Sequence, residues 1–208
     1  MCGTVMNVRL VQYPSGFFLR HKDQNIFKLG KITKEKAEWY LKNWQGKFDV
    51  IYADPPWQYE HCISKSSAIE THYRTMDLQD ICNLKIPAKE NSVLFLWVPV
   101  PLIQQGFKVM NAWGFDYRTN MVWVKDKIGM GYYVRARHEL LYIGVKGKGR
   151  IPAVTDKWQS VIFAPRLEHS KKPPILYDII EGAYPDCKYL ELFARNEREN
   201  WISWGDEL

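Results

Sequence analysis

A chain of 208 residues with 46% hydrophobic and 25% charged side chains can bury one sizeable core, which excludes a disordered segment. A formal net charge of +6 favours an anionic partner, nucleic acid foremost, with ordinary solubility charge as the plain alternative. The four cysteines, Cys2, Cys62, Cys82 and Cys187, are scattered without a Cys-x-x-Cys pair, so neither a metal site nor a disulfide framework is expected.

The first ten residues lack the apolar stretch of a signal peptide. The longest apolar run, residues 93–103, contains Pro99 and Pro101 and is too short to span a bilayer. These features predict a cytoplasmic protein without a membrane partner.

The first thirty residues read as short strands or loop, with Pro14-Ser15-Gly16 as a turn. Thr33-x-x-Lys36 opens a helix running to about Trp44, and Gly46 ends it. Residues 48–53 form a buried strand that stops at Asp54-Pro55-Pro56-Trp57, because two prolines cannot continue a ladder. A polar stretch, residues 58–75, is long enough to suggest a functional loop. A short helix begins near Asp77, a second buried strand covers 93–98, and a helix over 101–113 is capped by Gly114. Further strands are predicted over 117–124, 140–145, 161–164, 189–194 and 201–204, with a helix over 173–182. Apolar runs alternating with helices indicate an α/β protein with a mostly parallel sheet. Ligands of such sheets sit beyond the carboxyl ends of the strands, so the residues just after each strand become candidates.

Asp54-Pro55-Pro56-Trp57 stands at such a strand end. The Asp54 carboxylate can accept one N–H of an exocyclic amine and a proline carbonyl, with no competing local N–H, the other. Two acceptors stabilise the charge that grows on an amine nitrogen under attack, as on the weakly nucleophilic N6 of adenine. Trp57 offers a face on which a base could stack. The plain alternative is a strand-ending turn with a buried tryptophan.

The motif resembles that of the amino-methyltransferases in its adenine-N6 form. From Phe48 to Leu208 the chain is similar to the MT-A70-like family, named after the seventy-kilodalton subunit of the mRNA adenosine N6-methyltransferase. The segments that carry the likeness follow in order. They are His72-Tyr73-Arg74-Thr75-Met76, Leu94-Phe95-Leu96-Trp97-Val98, Trp113-Gly114-Phe115 and Val122-Trp123-Val124-Lys125. After them come His138-Glu139, His169-Ser170-Lys171-Lys172-Pro173, Glu191-Leu192-Phe193-Ala194-Arg195 and Trp204-Gly205-Asp206-Glu207-Leu208.

The resemblance implies one methyltransferase domain over 1–208, with 48–208 as the catalytic core and 1–47 hardly covered. Its fold would be Rossmann-like, with a mostly parallel sheet and flanking helices. The permuted order puts the catalytic motif ahead of the cofactor-binding strand. The implied cofactor is S-adenosyl-L-methionine. Asp54 would touch it, and so would His138, Lys171 at its amino-acid end, and Arg195, Glu197, Asp206 and Glu207 at its ribose. For each of these a solvated charge or a structural histidine is the plain alternative, and Ser170 and Pro173 also suit an ordinary helix start.

An adenine amine inside a duplex must be flipped out or met in a single strand. Tyr59, His61 and Lys65, in the loop after the motif, are candidates to stack on the base or touch phosphate. Lys125, Lys127, Arg135 and Arg137, interleaved with Tyr132 and Tyr133, suit a nucleic-acid backbone, and Lys146, Lys148 and Arg150 would extend that face, with a plain solvated face as the alternative for these three. The short span between Lys125 and His138 resembles the compact bacterial or phage members that act on DNA. DNA is therefore the expected substrate and RNA the alternative. A catalytically silent nucleic-acid-binding partner is a third reading, opposed by the presence of Asp54 and Trp57. The family resemblance also implies a homodimer or heterodimer.

Overall fold

The computed structural model describes residues 8–14, 16–21, 24–30, 34, 37–38, 41–42, 48–59, 75–129, 131, 133–153, 158–167, 171–205 and 208. Two sheets organise them. Strands β1 (Val8–Tyr13), β2 (Gly16–His21) and β3 (Gln24–Gly30) form an antiparallel meander, with the first reversal at Pro14. The described residues of the predicted N-terminal helix, Lys34, Ala37, Glu38, Leu41 and Lys42, are helical. Leu19 and Ala37 are fully buried within the same apolar cluster as the strand that leads to Asp54.

The second sheet has seven strands in the order β10-β9-β4-β5-β7-β6-β8. They are β4 (Phe48–Ala53), β5 (Ala88–Val98), β6 (Asp116–Val124), β7 (His138–Lys146), β8 (Val161–Phe163), β9 (Tyr189–Leu192) and β10 (Trp201–Trp204). Only β7 runs against its neighbours; all other pairings are parallel. Helices α1 (Leu78–Asn83), α2 (Ile103–Ala112) and α3 (Ile175–Ala183) flank it. This is the mostly parallel α/β, Rossmann-like methyltransferase architecture.

β4 is central and buried at all six positions, as a parallel strand covered on both faces must be. Its alternating side chains divide the core. Ile51 and Ala53 join Leu94, Leu96, Val109 and Met110 on the α2 face. Val50 and Tyr52 join Phe95, Trp97, Leu176 and Ile180 on the α3 face. α1 is capped by the Asp77 carboxylate, which accepts the Asp80 N–H at 2.8 Å. α2 ends at Gly114, whose φ of +79° turns the chain back so that the Phe115 N–H reaches the Met110 carbonyl at 3.0 Å. α3 starts two residues later than the sequence suggests, at Ile175, because Pro174 disfavours helical backbone at the residue before it, and the first bonds are the tight ones from Leu176 to Pro173 and Tyr177 to Pro174. β9 stops at Leu192 rather than running to Ala194, because Phe193 takes a left-handed φ of 64°.

At the start of β4 the Asp49 carboxylate accepts from the Lys89 ammonium at 2.7 Å and the Lys188 N–H at 3.0 Å, and pairs with Arg150. Burial alone would raise its pKa, but these three donors hold it below the usual carboxyl range. Asp49→Ala is expected to cost about 2–3 kcal/mol at neutral pH, the value of charged hydrogen bonds around a buried carboxylate. The contribution is present above the ordinary carboxyl pKa and is lost as pH falls through the lowered one. Urea midpoints of the two proteins should therefore differ at pH 7 and converge as pH falls below the ordinary carboxyl range.

Candidate active site

The carboxyl ends of β4, β5, β9 and β10 and the amino end of β7 meet at one edge of the sheet, because β7 is antiparallel. Asp54 leaves β4 there, with its N–H on the Leu192 carbonyl at 3.3 Å. Lys172, from the segment before α3, donates to Asp54 Oδ2 at 2.7 Å and lies 3.4 Å from Glu139 Oε2. Lys125, just past β6, pairs with the other oxygen of Glu139. Lys125, Glu139, Lys172 and Asp54 thus form a row of alternating charge.

Aromatic rings lie beneath the row. The Lys172 ammonium stands 5.3 Å from the centre of the Trp97 ring and that of Lys125 4.8 Å from Trp123. The two indoles meet edge to face at 6.0 Å. Trp97 is fixed by donating to the Tyr52 hydroxyl at 2.7 Å.

Burial pushes the Asp54 pKa above the usual carboxyl value, and repulsion from Glu139 adds to this. Lys172 and Arg195 only partly offset it. Glu139 is also penalised by burial, yet its two lysines bring it below the usual value. For Lys172, burial works against the charge, but the two carboxylates win and raise its pKa.

A buried carboxylate lies beside this row. Glu191 is 7% exposed on β9, opposite Tyr52 of β4. Its Oε1 accepts from the Tyr177 hydroxyl at 2.8 Å, while its Oε2 is buried with no hydrogen-bond partner among the described residues. Burial, with the charge of Asp54 acting in the same direction, brings its pKa up to about 7.

The structure sorts the sequence-derived candidates. Pro55 and Pro56 form the turn, but both carbonyls already accept a backbone N–H, from Trp57 at 2.8 Å and from Met76 at 2.9 Å. The expectation of a carbonyl with no local competitor is thereby corrected. A substrate N–H must use a carbonyl's second lone pair.

Trp57 is also corrected as an open stacking face. It is 5% exposed in the core, with its indole N–H on the Trp97 carbonyl at 3.0 Å, so it anchors the turn. Lys125 turns inward to Glu139, with 19% of its side chain exposed, rather than outward to phosphate.

Lys171 is exposed, and the adjacent Lys172 is the lysine on Asp54. His138 is exposed at the start of β7, and the adjacent Glu139 is the residue in the charged row. Arg195 is half-buried and close enough to lower the Asp54 pKa, whereas Glu197 is exposed. Tyr59 is half-buried against the core on the α2 face. Arg135 and Arg137 are exposed, and Arg137 donates to the Lys125 carbonyl at 2.8 Å. His61, Lys65, Tyr132, Asp206 and Glu207 lie outside the described residues.

Lys146 ends β7, and Lys148 and Arg150 follow it, at an end that the antiparallel pairing carries to the opposite edge of the sheet, where Arg150 meets Asp49. They do not extend the basic face near Asp54. Glu139, Lys172 and Glu191 appeared in the sequence only within the family-like segments, with no site role of their own, and Tyr177 not at all. For Glu139, Lys172 and Glu191 the signal was a charged residue inside, or next to, an apolar run, whereas the neutral Tyr177 carried none.

The MT-A70 family model matches residues 48–207. The chain belongs to the MT-A70 family. Among its relatives is the type II methyltransferase M.MunI of a Mycoplasma species, 31% identical over 78% of each chain. A probable N(6)-adenosine-methyltransferase MT-A70-like protein of rice is 31% identical over 86% of this chain and 26% of its own. The human N(6)-adenosine-methyltransferase catalytic subunit METTL3 is 31% identical over 78% of this chain and 28% of its own. The chain therefore spans most of the bacterial relative and about a quarter of the two eukaryotic ones. Among the described residues, no helix of this MT-A70 chain is long and apolar enough to cross a membrane.

Proposed function

We propose that this protein transfers a methyl group from S-adenosyl-L-methionine to the N6 amine of adenine in DNA. The observation that carries the reading is a half-buried carboxylate, Asp54, held at the ligand-binding edge of a methyltransferase sheet. The residues present suit a cationic cofactor. Asp54 and Glu191 line one corner of the site, and Glu191 keeps a buried carboxyl oxygen without a partner. Asp54, Glu191, Lys172 and Arg195 would hold the cofactor, with Asp206 and Glu207 as further ligands. When bound, it supplies an electrophilic methyl on sulfonium.

The chain's own residues do the rest. Asp54 accepts one N–H of the adenine amine, and the Pro55 carbonyl, through its second lone pair, accepts the other. Both acceptors strengthen as positive charge builds on the nitrogen. The Asp54 carboxylate then takes the proton that the amine must lose, and its raised pKa makes it a better acceptor than an ordinary carboxylate. Lys172 keeps Asp54 oriented while the amine is away.

The exposed segment after β6 supports a nucleic-acid substrate. Lys127, Arg135 and Arg137 lie there in solvent, and Tyr133 is fully exposed among them, at the same edge of the sheet as Asp54. DNA is favoured because the compact chain matches most of a bacterial type II methyltransferase. The activity on adenosine in the names of the eukaryotic relatives favours RNA as the second reading. Methyl transfer to matched single- and double-stranded DNA and RNA oligonucleotides tests the choice. DNA should have the higher kcat/KM; a preference for RNA would reverse the assignment.

A further inference from the structure

We propose that Glu191 is a reserve counter-charge, neutral in the empty site and ionised when the positive end of the cofactor arrives, so that cofactor binding releases a proton. The inference rests on the S-adenosyl-L-methionine reading and adds to it a residue and a linkage.

The geometry favours a neutral carboxyl in the empty site. Glu191 sits in the interior of β9, flanked by Tyr52 on β4 and Ser203 on β10. Tyr177 of α3 donates to one oxygen and leaves the other unpartnered among the described residues. Its charged neighbours do not neutralise it. Asp54 repels it, and Arg198 attracts it only weakly, because that guanidinium lies over the Tyr177 ring and is already paired with Glu181 and Asp178. Lys172 is taken by Asp54 and Glu139.

A buried oxygen without a partner, beside a second carboxylate, is costly to ionise. A cation bound beside the two carboxylates reverses that cost, because it attracts both in a medium of low dielectric. The titration of Glu191 near pH 7 places the switch in the physiological range. Glu191 is thus a positioning residue for the cofactor's charged end, distinct from Asp54, which holds the amine.

Calorimetric titration of the full-length protein with S-adenosyl-L-methionine, in buffers of different ionisation enthalpy, counts the protons. The wild type should release close to ~1 proton per cofactor at pH 6 and close to none at pH 8.5. Adenosine, which lacks the cationic end, should release none at either pH. Glu191→Gln should remove the release at pH 6 and weaken binding at pH 8.5 by ~10-fold or more.

A cofactor-free measurement accompanies this. A carboxyl whose folded pKa is raised contributes stability that is complete below its unfolded value and lost as pH rises through the folded one. Wild-type thermal stability should therefore fall relative to Glu191→Gln between pH 5 and 8. Cofactor binding without proton release at pH 6, or equal release from the glutamine variant, would overturn the proposal and leave the methyltransferase reading intact. Failure of the wild type to bind the cofactor at all would remove both.

Discussion

Asp54→Ala should reduce methyl transfer by ~10³-fold or more, the scale on which removing a preorganised acceptor that also takes a proton acts. The loss should appear in kcat, because the interaction strengthens only as charge develops on the amine. The fold should survive. Asp54 is a half-buried carboxylate with a raised pKa, so its ionised form is not a net stabiliser, and Lys172 retains Glu139 within 3.4 Å. Asp54→Asn keeps the shape but cannot accept the proton, and it should be nearly as inactive. Single-turnover assays at saturating cofactor, alongside thermal melts, separate the chemical effect from unfolding. An alanine variant that folds and turns over at the wild-type rate would show that the amine is held elsewhere.

Lys172→Met should have the second-largest effect, about 10²-fold at neutral pH. The ammonium stands between Asp54 and Glu139, which repel one another. Without it, burial and that repulsion act on Asp54 unopposed except by Arg195, and its pKa rises further. Catalysis needs the ionised carboxylate, so the acid limb of the pH–rate profile should move upward by about one unit or more. Activity should recover in part as pH is raised. A lysine that served only to pack the site would lower the rate equally at every pH, and a parallel profile would count against the role assigned to it.

The position of Asp54 was legible because local chemistry forced it. Two prolines must end a buried strand, and that placed Asp54 at a strand terminus without any knowledge of tertiary structure. Its neighbours were harder because adjacent residues on an extended chain point to opposite sides. Lys171 and Lys172, or His138 and Glu139, are equivalent one-dimensional candidates, and only packing selects the second of each pair.

β7 posed a different problem. In an all-parallel sheet the residues after each strand approach the ligand, whereas Lys146, Lys148 and Arg150 were expected only to extend the basic face of residues 125–137. One antiparallel strand reverses that rule and brings Glu139, near the strand's beginning, to the site. Trp57 looked like a stacking face because aromatic residues serve both packing and ligand contact. Its indole N–H found the Trp97 carbonyl, a long-range contact that pattern alone does not reveal. Glu191 was hidden for a similar reason. A lone carboxylate in a short apolar strand gains meaning only once Tyr177 and Asp54 are folded against it.

The most direct measurement is the position of a transferred methyl. Oligonucleotides containing every base would be incubated with isotopically labelled S-adenosyl-L-methionine, digested to nucleosides and resolved by mass. If Asp54 and the adjoining proline carbonyl grip an adenine amine, all label appears as N6-methyladenine with the wild type and none with Asp54→Asn. Label on cytosine N4 or a ring nitrogen, or undiminished N6-methyladenine from the asparagine variant, would contradict the account.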